Sequence, residues 1–173
     1  MLHRIHILGA SGSGTTTVGR ALAEHLHVPH FDTDDYFWVP TDPPFTHQRA
    51  RPERQQLLMD ALTAHDAWVV SGSLCGWGDM AIPLFELVVF LSIPHDIRMT
   101  RLRQREHERF GERILPGGDM YVSSQAFLAW AASYEMVAWT YGVDGYTKSG
   151  LECCPVPSSA LRGSTASRST LLC

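Results

Sequence analysis

Gly9-Ala-Ser-Gly-Ser-Gly-Thr-Thr-Thr17 is a glycine-rich run between an apolar stretch (Ile5 to Leu8) and a helix-like pattern (Val18 to Leu26). Glycines at 9, 12 and 14 let the backbone turn tightly, so successive amides and the following helix start face an anion. The spacing follows G-x-x-x-x-G-K-[ST] from Gly9 through Gly14 to Thr16, with Thr15 where the pattern has lysine. Gly9, Ser11, Gly12, Ser13, Gly14, Thr15, Thr16 and Thr17 are therefore read as a phosphate cradle. Thr16 holds the place of the hydroxyl that binds Mg²⁺. Thr15 can donate a hydrogen bond to phosphate but brings no charge, which should lower affinity or transition-state stabilisation. The plain alternative is a glycine- and serine-rich turn, and the strand and helix on either side argue against it.

A second group is Asp32-Thr33-Asp34-Asp35, expected at the carboxyl end of a second strand. Ligands bind outside the carboxyl ends of strands in open α/β sheets. Carboxylates there can hold Mg²⁺ through water and orient an attacking hydroxyl, whereas a bland reading makes them a helix cap and a solvated turn. Three acids within four residues repel one another unless a cation is near, which favours the metal-assisted role. No other strand ends in an apolar run plus Asp. Ser71-Gly72-Ser73 closes another strand on the same presumed side, either presenting amides and hydroxyls to an acceptor or serving only as a turn. Arg98, Arg101, Arg103, Arg105, Arg109 and Arg113 crowd one charged segment. Most such residues form a solvated face paired with Glu106, Glu108 and Glu112. Arg101 and Arg105, one turn apart, are the pair expected to clamp a transferring phosphate, with Pro116-Gly117-Gly118 as a hinge.

These groups need elements to position them. His3–Leu8, His30-Phe31, Trp68–Val70 and Leu87–Leu91 read as strands. Thr16–His27, the segment from Pro52 to Ala64, Asp96–Arg113 and Ser124–Glu135 read as helices, with a loop rich in proline and aromatics from Tyr36 to Phe45. Strands alternating with helices predict an α/β fold with a parallel sheet covered on both faces. Residues 1–135 form the expected domain, with a lid at about 104–122. Residues 136–173 lack periodicity and gather three of the four cysteines. A disordered tail is the routine reading. The sharper one is a shift of reading frame after Glu135. With synonymous codons chosen freely, loss of one nucleotide gives GGLDVRSRRVHEEWLGVLPCPVLRLEG, an arginine-bearing helix and a strand.

The 173 residues suffice for one domain with a proper core, and 45% hydrophobic with 18% charged residues is a globular balance. A net charge of −4 argues against nucleic acid or an anionic membrane as partner. No apolar run reaches the length of a membrane span, and Cys75 is the sole cysteine before residue 150, so a cytoplasmic setting is expected. The basic residues are thirteen arginines and Lys148, so no lysine in the first 147 residues replaces the one absent from the loop. The nine histidines form no metal-ligand pattern, and Trp38, Trp68 and Trp77 read as core or pocket walls. Oligomeric state is not legible.

Gly9–Thr17, Val18-Gly-Arg-Ala-Leu-Ala23 and Phe31-Asp-Thr-Asp34 together resemble the small P-loop kinases of the adenylate kinase and shikimate kinase type. Bacterial adenylate kinase-like proteins of the AAA ATPase kind, which carry G-A-S-G-S-G-T-T-T, are the nearest likeness. The resemblance spans residues 1 to about 135. It implies a three-layer P-loop NTPase fold with a five-stranded parallel sheet in the order 2-3-1-4-5, ATP at the Gly9–Thr17 loop, and a mobile lid. It also implies that Asp32 supports Mg²⁺ and Asp34 contacts the acceptor hydroxyl. The tail does not look like the family's last helix and strand. The function expected is transfer of the γ-phosphate of ATP to a small acceptor, a nucleoside monophosphate or a small hydroxyl compound. The rival is a nucleotide-binding module with little catalysis, on account of Thr15.

Overall fold

Alternation along β3 (Trp68–Ser71) divides the sheet's two faces. Trp68 and Val70 point into one core with Leu58 and Leu62, while Val69 points into another with Ile5, Ile7 and Ala23. All four β3 residues are buried, as expected for a strand covered on both sides. The computed structural model describes residues 3–140, with side chains through residue 133. The sheet comprises β1 (Arg4–Gly9), β2 (His30–Asp32), β3 and β4 (Leu87–Leu91), in the order β2-β3-β1-β4 with every pairing parallel. This matches the first four places of the expected order. The fifth place, for which the tail as written offers no strand, and all but the first residues of the shifted-frame tail both fall at residues 141–173, outside the described residues.

Helix α1 (Thr15–Leu26) covers one face through Ala23, and α3 (Arg51–Thr63) covers the other through Leu58 and Leu62. Each fully buried leucine or valine is worth about 1.5–3 kcal/mol over exposure, so these two clusters hold the site's strands in register. Between β2 and α3 lies α2 (Thr33–Phe37), five residues where the sequence reading placed acids and the start of a loop. It forms because Asp32 caps it: the Asp32 side chain accepts from the Asp34 amide, and Asp34 and Asp35 lie in its first turn. From Phe37 to Arg49 the chain doubles back, with Val39 N–H donating to His47 O and Arg49 N–H to Phe37 O.

The chain divides into two units, Met1–Ser92 and Ile93–Cys173. The first contains the whole described sheet. In the second, α4 (His95–Phe110) packs on α5 (Tyr121–Thr140), joined by a short 3₁₀ turn at Gly111–Ile114. Two expectations about α4 and α5 need correction. The helix expected over Asp96–Arg113 ends at Phe110, where Gly111 takes a positive φ of 54°. The last helix, expected to stop at Glu135, continues to Thr140. The arginine helix exposes Arg101, Arg103, Arg105 and Arg109, the solvated face expected of most of its arginines. Arg98 and Glu106 are buried, and Glu106 accepts a hydrogen bond from Ser124 Oγ at 2.9 Å.

Among the described residues no helix is long and apolar enough to cross a membrane.

Candidate functional site

The carboxyl end of β1 meets the end of β4 so closely at Gly9 that only glycine fits. A Cβ there would lie 2.5 Å from Leu91 O and 2.6 Å from Ser13 Oγ. The loop then turns through Gly12 and Gly14, whose φ values of 85° and 96° favour glycine. Ser13 N–H donates to Ala10 O, which folds the loop back on itself. Gly14 is the N-cap of α1 and no side chain caps that helix. The amides of Thr15, Thr16 and Thr17 therefore have no acceptor within the helix, whose first bond runs from Val18 N–H to Gly14 O. Ser13 Oγ is buried and has no hydrogen-bond partner among the described residues. Unpaired amides, an uncapped helix start and an orphaned hydroxyl fit a phosphate chain.

Thr16 faces inward at the head of α1, and its Oγ1 donates to Asp32 Oδ2 at 2.8 Å. The other oxygen of that carboxylate accepts from Asp34 N–H at 3.0 Å. Asp32 thus joins the phosphate loop to the turn carrying Asp34. Asp32 is buried, whereas Asp34 and Asp35 are exposed. The structure brings Thr16, Asp32 and Asp34 together as the sequence suggests. The capping role of Asp32, the bland reading of this acid, is the one seen directly. Among the described residues no three His, Cys, Asp or Glu side chains cluster to cage a metal.

The turn after β3 borders the same region. Gly72 has φ 105°, and a Cβ on it would run into Thr33 Oγ1. Thr33, buried at the start of α2, leaves room only for glycine there. His30 Nε2 lies 2.8 Å from Ser71 Oγ, and burial pulls its pKa below the ordinary imidazole value.

Sequence reasoning missed Arg54. It is buried on α3, with its guanidinium carbon 4.1 Å from the Phe37 ring centroid and 5.2 Å from that of Trp77. Its Nε is buried without a hydrogen-bond partner, and no carboxylate pairs with it among the described residues. Burial first, and Arg51 second, lower its pKa. A buried guanidinium without an anion is costly, and an anionic ligand would relieve it. The signal was present, because Arg54 begins the Arg54–Leu58–Leu62 stripe that α3 buries.

Arg101 and Arg105 belong to the second unit. Both are exposed on α4, and the Arg105 guanidinium lies 5.9 Å from the Phe127 ring centroid. The Pro116-Gly117-Gly118 stretch is tied down at its ends rather than open. Arg113 binds Asp119 through Nε at 3.0 Å and Nη2 at 2.7 Å, and Met120 N–H donates to Arg113 O.

A family model described as an AAA domain matches residues 5–114. The chain is 50% identical over 135 residues to the uncharacterized protein YqaC of Bacillus subtilis, covering 78% of this chain and 74% of that protein. It is 28% identical over 117 residues to a cytidylate kinase of Haloarcula marismortui, covering 61% of this chain and 60% of that one. Its fold is similar to the crystal structure of a shikimate kinase from Bacteroides thetaiotaomicron. There the identity is 25% and the TM-score 0.50, over 81% of this chain and 83% of that chain. The sheet order, the loop and these likenesses make this a small P-loop kinase fold.

Proposed function

The chain belongs to the AAA-domain family matched by its residues 5–114, and from that premise we propose that it is an ATP- and Mg²⁺-dependent phosphotransferase acting on a small acceptor. The observation that carries this reading is the Thr16–Asp32 hydrogen bond, which couples the phosphate loop to the acid-bearing turn. The amides of Thr15, Thr16 and Thr17 hold the phosphates of ATP, and Ser13 Oγ adds a donor. Thr16 and Asp32 would hold Mg²⁺, which would neutralise charge on the phosphate oxygens. Asp34, exposed in the first turn of α2, orients the acceptor's attacking oxygen and, where that oxygen is a hydroxyl, takes up its proton. Arg54 gives an anionic group of the acceptor a partner. A nucleoside monophosphate and a small hydroxy acid both carry such a group, in keeping with relatives named as cytidylate kinase and shikimate kinase.

Thr15 favours a second reading, nucleotide binding with little turnover, since the loop itself offers no ammonium to the β- and γ-phosphates. Transfer of label from γ-³²P-ATP in the presence of Mg²⁺ separates the two. The panel comprises the nucleoside monophosphates, shikimate and other small hydroxy acids. Acceptor-dependent labelling that Arg54→Met abolishes, with MgATP binding retained, supports the phosphotransferase. Saturable MgATP binding without transfer to any compound supports the second reading.

A further inference from the structure

Two histidines approach the turn after β3 from opposite faces of the sheet. His6 lies between Ile5 and Ile7 on β1, and those two isoleucines face the α1 core, so His6 faces the α3 side. Its ring packs at 4.7 Å on Phe85 of that side, and its Nε2 lies 2.9 Å from Gly72 O. A carbonyl oxygen only accepts, so His6 Nε2 carries the proton and Nδ1 is bare. His30 pairs in register with Val69, which faces α1. Its ring sits against Gly19 of α1, where a Cβ would come within 2.7 Å of Nε2, and bonds Ser71 Oγ at 2.8 Å. Gly72 N–H in turn donates to Ile7 O at 3.0 Å. Both polar groups of Gly72 and the hydroxyl of Ser71 are thereby pinned, and Gly72 is left against Thr33 with no space to spare.

We propose that His6 and His30 are positioning residues that grip the Ser71–Gly72 turn from both faces and so fix Thr33 and the adjacent Asp34 for phosphoryl transfer. The proposal rests on the reading of Asp34 as the residue that orients the attacking oxygen. Neither histidine touches substrate. They act through Gly72, whose contact with Thr33 passes the constraint to the first turn of α2. His6 is fitted to this by burial, which lowers its pKa and keeps it as a neutral donor. Nothing in its packing requires a polar group: Phe85, and Val70 beside it in register, are apolar. A leucine would serve packing alone, so the donor is what the turn uses.

The test compares the wild-type chain with His6→Leu, His6→Gln and His30→Ala by amide hydrogen exchange and by hydrolysis of MgATP with water as acceptor. His6→Leu and His30→Ala should speed exchange at Gly72 about tenfold or more, with exchange in α3 unchanged. Their kcat for hydrolysis should fall about tenfold while KM for MgATP stays within about twofold, because the phosphate loop is untouched. His6→Gln supplies an amide donor and should restore both readings most of the way. Unchanged exchange at Gly72 overturns the proposal. So does a Gln variant as impaired as Leu, or a kcat loss matched by a rise in KM. If all four proteins bind MgATP but none hydrolyses it, the phosphotransferase reading fails, and the exchange data with the Gln rescue still decide whether the histidines hold the turn.

Discussion

Thr16 Oγ1 donates to Asp32 Oδ2 across 2.8 Å, while Asp32 Oδ1 caps the helix that carries Asp34. One carboxylate therefore spans two elements that are sixteen residues apart in the chain. Removing its charge and removing its hydrogen bonds should have separable effects. Asp32→Asn keeps an oxygen for capping, so its Tm should stay near that of the wild type while Mg²⁺ no longer tightens ATP binding. Asp32→Ala also loses the cap, about 1 kcal/mol, and should unfold at lower urea concentration. Calorimetric ATP titrations with and without Mg²⁺, beside urea melts, check both.

Gly72 has no tolerance for a side chain. Its φ of 105° and its approach to Thr33 mean that Gly72→Ala adds both strain and a clash. The expected loss is about 1–3 kcal/mol from the backbone conformation alone, read as a drop in the urea midpoint without a change in slope. A neutral result would show that the turn yields easily.

Thr15 stands where the loop pattern has lysine, at the first position of α1. Thr15→Lys places an ammonium beside the unpaired amides of the loop. Turnover of MgATP should rise about tenfold or more, since a single donor at a developing oxyanion is worth at least that. Steady-state hydrolysis measures it, and an unchanged rate would mean that the wild-type loop already compensates.

His6, buried, and His30, half-buried, give the protein an acid-sensitive stability. Desolvation lowers the pKa of His6 and of His30 in the folded state, the weaker opposing influences being the Gly72 carbonyl for His6 and Asp32 for His30. Below the ordinary imidazole value of 6.5 the unfolded chain takes up protons that the folded chain refuses. Stability should therefore be full above that value and fall as pH drops through it toward the folded-state values. His6→Gln should flatten this dependence between about pH 5 and 7, as measured by urea melts across that range.

Local patterns in the sequence carried much of this site. The loop from Gly9 to Thr16 and the acids at 32 and 34 are contiguous motifs, and the strands Trp68–Val70 and Leu87–Leu91 are short apolar runs. The four-strand order likewise agrees with the P-loop kinase resemblance. What escaped depends on contacts between distant residues or on a broken hydrophobic pattern. Helix α2 is held by a cap rather than by periodicity, so five residues with four acids or aromatics among them read as an acidic turn and the start of a loop. Arg54 and Glu106 occupy the buried stripes of α3 and α4, where a charged residue lowers the apparent amphipathicity that marks the face. The grip of His6 on Gly72 joins residues 66 apart through the parallel register of β1 and β3, which no spacing rule reveals.

Isothermal titration of the chain with ATP, with and without Mg²⁺, tests the central claim most directly. The Gly9–Thr17 loop should take up one ATP saturably, more tightly with Mg²⁺, and lose it when Gly14→Val fills the left-handed position at the head of α1. Absence of saturable binding in a folded preparation, or equal binding by the Gly14→Val variant, would contradict the account.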